Sequence, residues 1–407
     1  MAPAIAADES EGGMAEPARV VVVGAGLAGL RVVEELRARG FGGAVTLIGA
    51  ETRPPYDRPP LSKKVMTGEL DDSSLRAELQ SLSVDVRLGE AATALAGHVL
   101  RTDAAEHEWD ALVVTTGACP VRLPGAGPQR VLRTVDDAHA LRSVLTPGTS
   151  LAIVGAGWIG AELATAAATR GCEVTVLEAA ATPLAAAIGT EVGGMTIPWY
   201  AEAGVELRLA ETVSSIEAGG IALGDGGWLA ADVIVTAVGV RPAVSWLSGS
   251  DVRLDNGVAV DGQLRTTVAG VFAAGDCASF WSARYGRQLR FEHWDVALHA
   301  PEVVAANVLG GSADYDPVPY FWSEQFGRMV QYVGWHGGAD RIVWRGRPAE
   351  AKWAVCWLAE DRLVAALTVG LPRDLIQARR LIEAGGLVDP GKLADPGIAI
   401  RDCGIAG

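Results

Sequence analysis

Two glycine patterns contain the residues of this sequence whose type and spacing most clearly suggest a chemical role. They share the spacing GxGxxG, and their glycines are Gly24, Gly26 and Gly29 in the first copy and Gly155, Gly157 and Gly160 in the second. Each copy follows a short β-branched apolar run and opens a stretch rich in Ala, Leu, Glu and Arg, which predicts strand, tight turn and helix. Such glycines let the backbone approach a pyrophosphate at a helix N-terminus. The patterns therefore predict two dinucleotide-binding turns.

An acidic residue near the end of the strand after each pattern is the candidate partner of a ribose. Glu178 lies 23 positions after Gly155, near the spacing at which a carboxylate accepts a hydrogen bond from a ribose 2′-hydroxyl. A 2′-phosphate would be repelled there, and no Arg or Lys follows soon, so NADH is favoured over NADPH. In the first copy Ala50 and Glu51 occupy this place. Glu51 is the candidate ribose partner, and a solvated loop carboxylate is the alternative.

Two dinucleotide sites on one chain need two dinucleotides, and the natural pair is FAD with a nicotinamide cofactor. The segment GVFAAGD supports this pair, because its buried strand delivers Asp276 to a helix N-terminus, where a carboxylate can bind ribityl hydroxyls. Two further predicted apolar strands each end at a glycine, one at Thr116-Gly117 and the other at Gly239.

Composition and charge exclude several other classes of protein. The chain has 407 residues, 49% of them hydrophobic, and a net charge of −15, which disfavours nucleic-acid binding. No apolar run reaches the about 18 residues that a membrane span needs. Five cysteines, far apart and without zinc-ligand spacing, predict no metal site and a reduced, cytoplasmic protein. Residues 1–18 are small and acidic, and predict a disordered tail.

Hydrophobic patterning predicts the elements that must position these residues. A second strand follows each glycine pattern and its helix, at Ala44–Ile48 and at Glu173–Leu177. A duplicated βαβ unit fits this arrangement. After residues 314–319 the hydrophobic pattern changes: it predicts short strands with alternating apolar residues, followed by the helical stretch DLIQARRLIEAG. Residues 320–407 therefore predict a small α+β domain with an antiparallel sheet.

The order of the motifs, GxGxxG, TTG, GxGxxG, AVG and GVFAAGD, resembles the flavoprotein reductases with two dinucleotide-binding domains. More specific matches are PYDRPPLSK (55–63), LRT (132–134), FEHW (291–294) and PYFWS (319–323). These resemble the ferredoxin reductases of bacterial oxygenase systems, of the putidaredoxin reductase and biphenyl dioxygenase reductase type. The resemblance covers nearly the whole chain after residue 18.

The resemblance implies a set of residues that contact the cofactors. Those carried over by motif for FAD are Ala28, Gly29, Arg58, Lys63, Arg133, Asp276, Trp294 and Trp322. Ala92, Thr116, Gly117, Ile159 and Gly239 complete the predicted cofactor-binding residues. Ala50 departs from the family, which often has an acid there, so ribose binding depends on Glu51. The alternative to a flavin contact for Trp322 is a place in the hydrophobic core, because the C-terminal domain contains five tryptophans.

In this family the lysine of RPPLSK lies by the flavin and pairs with the glutamate two residues past the second glycine pattern. Those residues match Lys63 and Glu162. A lysine there would stabilise negative charge that develops on flavin reduction, and a buried lysine needs a carboxylate partner. The alternative is that Glu162 only caps its helix or faces solvent.

The implied fold is α/β, with two Rossmann-like dinucleotide-binding domains and a C-terminal α+β domain. The predicted boundaries are 19–118 and 244–318 for the FAD domain, 119–243 for the NAD domain and 319–407 for the C-terminal domain. No cysteine lies between Gly24 and Asp110, where disulfide reductases of this superfamily carry redox cysteines, so electrons must leave the flavin directly.

The implied function is electron transfer from NADH, through non-covalent FAD, to a [2Fe–2S] ferredoxin that serves a cytochrome P450 or a Rieske oxygenase. The alternatives are a rubredoxin reductase, an NADH:quinone or oxygen oxidoreductase, and a flavoprotein that acts mainly in binding, as apoptosis-inducing-factor-like proteins do. Because ferredoxins are usually acidic too, docking needs a local basic patch. Arg373, Arg379 and Arg380 around one predicted helix are the candidates, with a solvated helix face as the alternative.

Overall fold

The computed structural model describes residues 16–75, 79 and 81–405. Residues 1–15, which form most of the predicted tail, lie outside the described residues. Ala18, within the predicted tail, is hydrogen-bonded to the fold: its amide donates to the Asp110 carboxylate (3.1 Å) and its carbonyl accepts from the Ala44 amide (2.9 Å). Within the described residues, no helix combines the length and apolar composition needed to cross a bilayer.

A parallel five-stranded sheet, the first sheet, organises the beginning of the chain. The elements up to residue 114 are β1 (Arg19–Val23), α1 (Leu27–Ala38), β2 (Ala44–Gly49), a 3-10 turn (Pro59–Ser62), α2 (Lys64–Thr67), β3 (Asp85–Leu88), β4 (Ala92–Ala96), β5 (Val99–Thr102), β6 (Glu106–Glu108) and β7 (Ala111–Val114). Strands β1, β2, β3 and β7 belong to the first sheet, and β4 to β6 form a separate antiparallel sheet. The valines of β1 are buried because helices cover the sheet.

A second parallel sheet, of four strands, follows. Its part of the chain contains β8 (Ala118–Pro120), α3 (Val135–Val144), β9 (Ser150–Val154), α4 (Trp158–Thr169), β10 (Glu173–Glu178), α5 (Ala185–Ile188), α6 (Thr190–Gly194), α7 (Ile197–Glu202), β11 (Glu206–Leu209), β12 (Val213–Glu217), β13 (Gly220–Leu223), β14 (Trp228–Ala230), β15 (Val233–Thr236) and β16 (Val240–Pro242). The strand order is β11-β10-β9-β15, and β12 to β14 form a small antiparallel sheet. Strands β8 and β16, at the two ends of this part, pair antiparallel with each other.

The chain then returns to the first sheet. The returning elements are a 3-10 turn (Ser245–Leu247), β17 (Val258–Val260), β18 (Val271–Ala273), a 3-10 turn (Gly275–Cys277), β19 (Ala278–Ser282), β20 (Arg287–Leu289) and α8 (Trp294–Val308). Strand β18 pairs with β7 and completes the order β18-β7-β1-β2-β3. Helix α8, which includes Pro301, packs against α1.

The last part of the chain forms an antiparallel five-stranded sheet with one long helix. Its elements are β21 (Tyr320–Gln325), β22 (Arg328–Gly334), β23 (Arg341–Arg345), β24 (Trp353–Ala359), β25 (Arg362–Val369), α9 (Pro372–Ala384), α10 (Pro390–Ala394) and a 3-10 turn (Ile400–Cys403). Helix α9 covers one face of this C-terminal sheet through Leu375 and Ile382, and on another side Trp353 packs with Trp199 of α7. Two parallel Rossmann-like sheets and an antiparallel C-terminal sheet confirm the predicted α/β fold class.

Candidate functional site

The two glycine turns have the same geometry, and each leaves space at a helix N-terminus. A Cβ at Gly24 would lie 2.2 Å from the Thr115 carbonyl oxygen, and a Cβ at Gly29 would lie 1.9 Å from the carbonyl oxygen of Gly24. A Cβ at Gly26, by contrast, would meet nothing within 4 Å. The outer two glycines are therefore required by packing, and the middle one borders open space.

In the second turn, too, the outer glycines are required by packing and the middle one borders open space. A Cβ at Gly155 would lie 2.5 Å from the Ala237 carbonyl oxygen and one at Gly160 would lie 2.0 Å from that of Gly155, whereas Gly157 again meets nothing within 4 Å. Helices α1 and α4 begin at these turns without a side-chain cap. Their first amides are therefore available to an anion such as a pyrophosphate.

The two candidate ribose partners lie beside these turns, and each carboxylate is held in place. Glu178 ends β10 and accepts hydrogen bonds from the amides of Ala156 (2.7 Å) and Ala180 (2.9 Å). Glu51 follows β2 and accepts from the Tyr56 hydroxyl (2.5 Å) and from Arg58 (2.7 Å). Burial raises the pKa of Tyr56 to about 12, so the phenol stays protonated as a donor.

The predicted FAD contacts from separate segments form one connected chain. Arg58 donates to the backbone carbonyl of Arg133 (2.5 Å), and the Arg133 guanidinium pairs with the Asp276 carboxylate (2.7 Å). A Cβ at Gly117 would lie 3.5 Å from that guanidinium. The hydroxyl of Thr116 is buried and has no partner among the described residues. A polar ligand that reaches this hydroxyl would satisfy it, which fits a nucleotide cofactor.

Lys63 and Glu162, predicted as the catalytic pair, form an ion pair between the first and second parts of the chain. The Lys63 ammonium lies 2.7 Å from the Glu162 carboxylate, and their side chains are 15% and 3% exposed. Glu162 also accepts from the hydroxyls of Ser62 (2.5 Å) and Ser323 (2.6 Å). Such burial is tolerated because the carboxylate is both paired and hydrogen-bonded.

Trp294 and Trp322 meet at the edge of the C-terminal sheet. Their ring centroids are 5.6 Å apart in an edge-to-face contact, and the Trp294 indole donates to Asp57 (2.8 Å) in the loop that leads to Lys63. Tyr320 stacks on Trp322 at 5.9 Å. Trp322 is half-buried, unlike the core residues Trp353 and Trp357.

The remaining predicted residues occupy different surroundings. Ala28 lies at the start of α1, where a Cβ on Gly275 would approach its own Cβ to 3.2 Å. Ile159 is 44% exposed in the first turn of α4, and Gly239 follows β15 with a φ of +104°. Ala50 is exposed, and Ala92 begins β4 and packs on the core of the first sheet.

Sequence reasoning missed the hydroxyls and the histidine of this site. Ser62 lies in RPPLSK and Ser323 in PYFWS, so both motifs contained the signal although only their neighbours were singled out. His293, in FEHW, lies between Phe291 and Phe321 with ring centroids 5.1 and 5.2 Å away. Burial lowers the pKa of His293 to about 4, so the imidazole is neutral near pH 7.

Comparison with known proteins gives matches over most of the chain. The family model described as pyridine nucleotide-disulphide oxidoreductase matches residues 18–300, and the one described as reductase C-terminal matches residues 320–404. The ferredoxin–NAD(+) reductase component of the anthranilate 1,2-dioxygenase system of Burkholderia cepacia is 38% identical over 380 residues, which are 88% of this chain and 93% of that protein.

Two solved structures share the whole architecture. The crystal structure of Fdr9 is 48% identical with a TM-score of 0.91, and the alignment covers 94% of this chain and 99% of that one. The covalent putidaredoxin reductase–putidaredoxin complex is 30% identical with a TM-score of 0.91, covering 95% of this chain and 97% of that chain.

Proposed function

Because this chain belongs to the pyridine nucleotide-disulphide oxidoreductase family, with a C-terminal reductase domain, we propose that it is an NADH-dependent ferredoxin reductase. Its electrons pass through FAD to a [2Fe–2S] ferredoxin, which serves a cytochrome P450 or a Rieske oxygenase. The relative from the anthranilate dioxygenase system is itself named a ferredoxin–NAD(+) reductase component. The family brings a flavin and a nicotinamide cofactor; FAD and NADH in particular are part of the proposal.

The observation that carries the proposal is the buried Lys63–Glu162 ion pair, whose glutamate lies two residues after the second glycine pattern. Lys63 follows a loop of the first part of the chain, and Glu162 lies in the first turns of α4, which begins at the second glycine turn. A charged pair at this place serves a reaction in which negative charge develops between two nucleotides. When bound, FAD supplies the conversion of one hydride into two single electrons.

The described residues fit FAD as the resident flavin. The turn at Gly24, Gly26 and Gly29 provides amides and space for a pyrophosphate, and Glu51 lies where a ribose would be bound. Asp276 and the Thr116 hydroxyl, which has no hydrogen-bond partner among the described residues, would offer polar contacts to the ribityl side. In the second turn, Glu178 provides a carboxylate for an unphosphorylated ribose, which favours NADH.

No thiol lies in the segment where disulfide reductases of this superfamily carry their redox cysteines. The segment between Gly24 and Asp110 has no cysteine, and Cys277, which lies near Thr116, is fully buried. Burial raises the pKa of Cys277 to about 11, so its thiol stays protonated and unreactive. Electrons therefore leave from the flavin itself, which suits a one-electron protein acceptor.

The test is rapid-mixing kinetics with the flavin-loaded protein. NADH should reduce the flavin, and an added [2Fe–2S] ferredoxin encoded near this gene should then oxidise it at a rate that supports oxygenase turnover. A rubredoxin and a soluble quinone serve as rival acceptors. If either one is reduced faster than every ferredoxin tested, the chain belongs to the corresponding alternative; a protein that holds NADH without passing electrons to any acceptor would act in binding.

A further inference from the structure

The carboxylate of Glu162 is the point at which three parts of the chain meet. One oxygen, Oε2, accepts from Lys63 (2.7 Å) and Ser62 (2.5 Å), both from the loop before α2. The other oxygen, Oε1, accepts from Ser323 (2.6 Å), which lies in β21 of the C-terminal sheet. Ser323 is the only partner of Oε1 among the described residues. The C-terminal sheet therefore contacts the ion pair directly.

A second side chain holds the Ser323 hydroxyl in place. The amide of Gln325 donates to the Ser323 Oγ at 3.1 Å, so this oxygen accepts one hydrogen bond and donates the other to Glu162. Both side chains are 0% exposed. A buried hydroxyl whose acceptor and donor roles are both fixed cannot rotate freely, and it orients the group that it contacts.

Two other contacts also join this part of the C-terminal sheet to α4. The role of Ser323 in orienting Glu162 can therefore be distinguished from the attachment of the sheet to the helix. The amide of Phe326, the residue after β21, donates to the Thr165 hydroxyl (2.9 Å). Trp158 of α4 packs on Phe321 of β21 with ring centroids 4.7 Å apart. Neither contact involves Glu162. The hydrogen bond from Ser323 is therefore not needed merely to attach the sheet to the helix, and its distinctive feature is that it ends on the carboxylate that pairs with Lys63.

We propose that Ser323, held by Gln325, is a positioning residue for the Lys63–Glu162 pair, through which the C-terminal sheet sets the charge beside the flavin. The inference rests on the proposed function, because it assumes a flavin next to Lys63. The hydroxyl directs its positive end at Glu162 and compensates part of the carboxylate charge. Without it, the field of the pair at the flavin is more negative, and reduction becomes less favourable.

The first experiment measures the melting temperature of the flavin-loaded protein and needs no ferredoxin. Ser323→Ala and Glu162→Ala should each lower Tm, and together they should lower it by less than the sum, because both remove the same contact. Thr165→Val is the matched control, since it removes the hydrogen bond from Phe326, the residue after the same strand, and this bond does not reach Glu162. Its effect should add to that of Glu162→Ala. Full additivity for Ser323→Ala would overturn the contact on which the inference depends.

The second experiment measures the midpoint potential of the bound flavin with redox dyes. Ser323→Ala should lower it, so that the ratio of reduced to oxidised flavin at a fixed potential falls by about threefold to tenfold. This is less than the full effect of losing a hydrogen bond to a charged group, because the hydroxyl acts on the flavin only through Glu162. Ser323→Thr should restore the potential, and Gln325→Met should shift it in the same direction as Ser323→Ala but less. Thr165→Val should leave it unchanged.

An unchanged potential in Ser323→Ala, or an equal shift in Thr165→Val, would refute a positioning role. If Ser323→Ala does not fold, Gln325→Met decides, and the absence of a shift in that variant counts against the inference. The potential is measured without any protein acceptor. A failure of ferredoxin reduction would therefore count against the proposed function alone.

Discussion

Lys63 and its neighbour Lys64 offer a direct comparison of one charge in two surroundings. Lys63 is mostly buried and paired with Glu162, whereas Lys64 begins α2 and is exposed. We therefore expect only Lys63 to act on a flavin through a medium of low dielectric constant. The pair also has a cost of burial, which the hydroxyls of Ser62 and Ser323 offset by completing the hydrogen bonds of the carboxylate.

We expect Lys63→Ala to retain FAD but to slow flavin reduction by NADH. The loss of one preorganised charge should cost about 2–3 kcal/mol of transition-state stabilisation. Glu162→Ala should show a related defect, and the double variant should show less than the sum of the two. Single-turnover reduction rates measure this, with Lys64→Ala as the control. Additive losses would show that the two side chains act independently.

We expect nucleotide preference to depend on Glu178. Its carboxylate is fixed by the amides of Ala156 and Ala180. It retains lone pairs that would accept from a ribose hydroxyl, and its charge would repel a 2′-phosphate. Glu178→Ala should raise KM for NADH by about tenfold, as expected for losing a hydrogen bond to a charged group, and narrow the gap to NADPH. Steady-state kinetics with both nucleotides test this, with Glu173→Ala at the exposed start of the same strand as the control. Equal use of NADPH by the wild type would contradict the argument.

The contacts within a motif could be predicted from the sequence, and those between motifs mostly could not. The pairing of Lys63 with Glu162 was predictable only because two recognised motifs each contributed one member. Ser323 reaches Glu162, and Trp294 reaches Asp57, across distances that local patterning does not encode. These contacts depend on how separately formed sheets dock, which is decided by packing over large surfaces and not by the spacing of a few residues.

At the scale of elements, the two strand–turn–helix units use glycine for two different physical reasons. Gly29 is required inside the unit, because a methyl group there would overlap the carbonyl of Gly24. Gly26 and Gly157 border open space instead, so a methyl group there would occupy the place proposed for a phosphate. The sequence pattern alone does not distinguish these two kinds of glycine.

We expect alanine substitutions to separate the two roles. Gly26→Ala should fold normally but lose FAD, and Gly157→Ala should keep FAD but bind NADH more weakly, because each affects a different turn. Gly29→Ala should fail to fold or lose most of its stability. Flavin content, KM for NADH and Tm measure the three outcomes, with Gly42→Ala, also in open space, as the control. Normal FAD content in Gly26→Ala would place the pyrophosphate elsewhere.

At the scale of the whole molecule, α9 is the element on which the docking hypothesis depends. Of the three predicted arginines, Arg379 pairs with Glu383 (3.0 Å), whereas Arg373 and Arg380 have no ion-pair partner among the described residues. Ile376 lies one turn before Arg380 and is 55% exposed. Free guanidinium groups beside an exposed apolar side chain suit a transient acidic partner.

Arg380→Glu should therefore slow the reduction of ferredoxin more than Arg379→Glu does, and leave NADH–ferricyanide turnover unchanged. Raising the salt concentration should lower the ferredoxin rate of the wild type and have little effect on ferricyanide. Arg347→Glu, at an 83% exposed position of the same domain, gives the same change in net charge as a control. Equal salt curves for both acceptors would place the docking surface elsewhere.

The antiparallel pair of β8 and β16 has a consequence for how the chain folds. Residues 115–270 separate β7 from β18, yet the two strands must lie side by side in the first sheet. Closing so long a flexible loop would cost about 3 kcal/mol more than closing a four-residue turn, at about 0.6 kcal/mol for each doubling of length. Once the intervening part has folded, however, Ala118 and Pro242 lie opposite each other. Only residues 115–117 and 243–270, about 30 in all, then remain to be closed between β7 and β18. This shorter loop costs about 1.4 kcal/mol less to close, so we expect the part between β8 and β16 to fold before β18 is added.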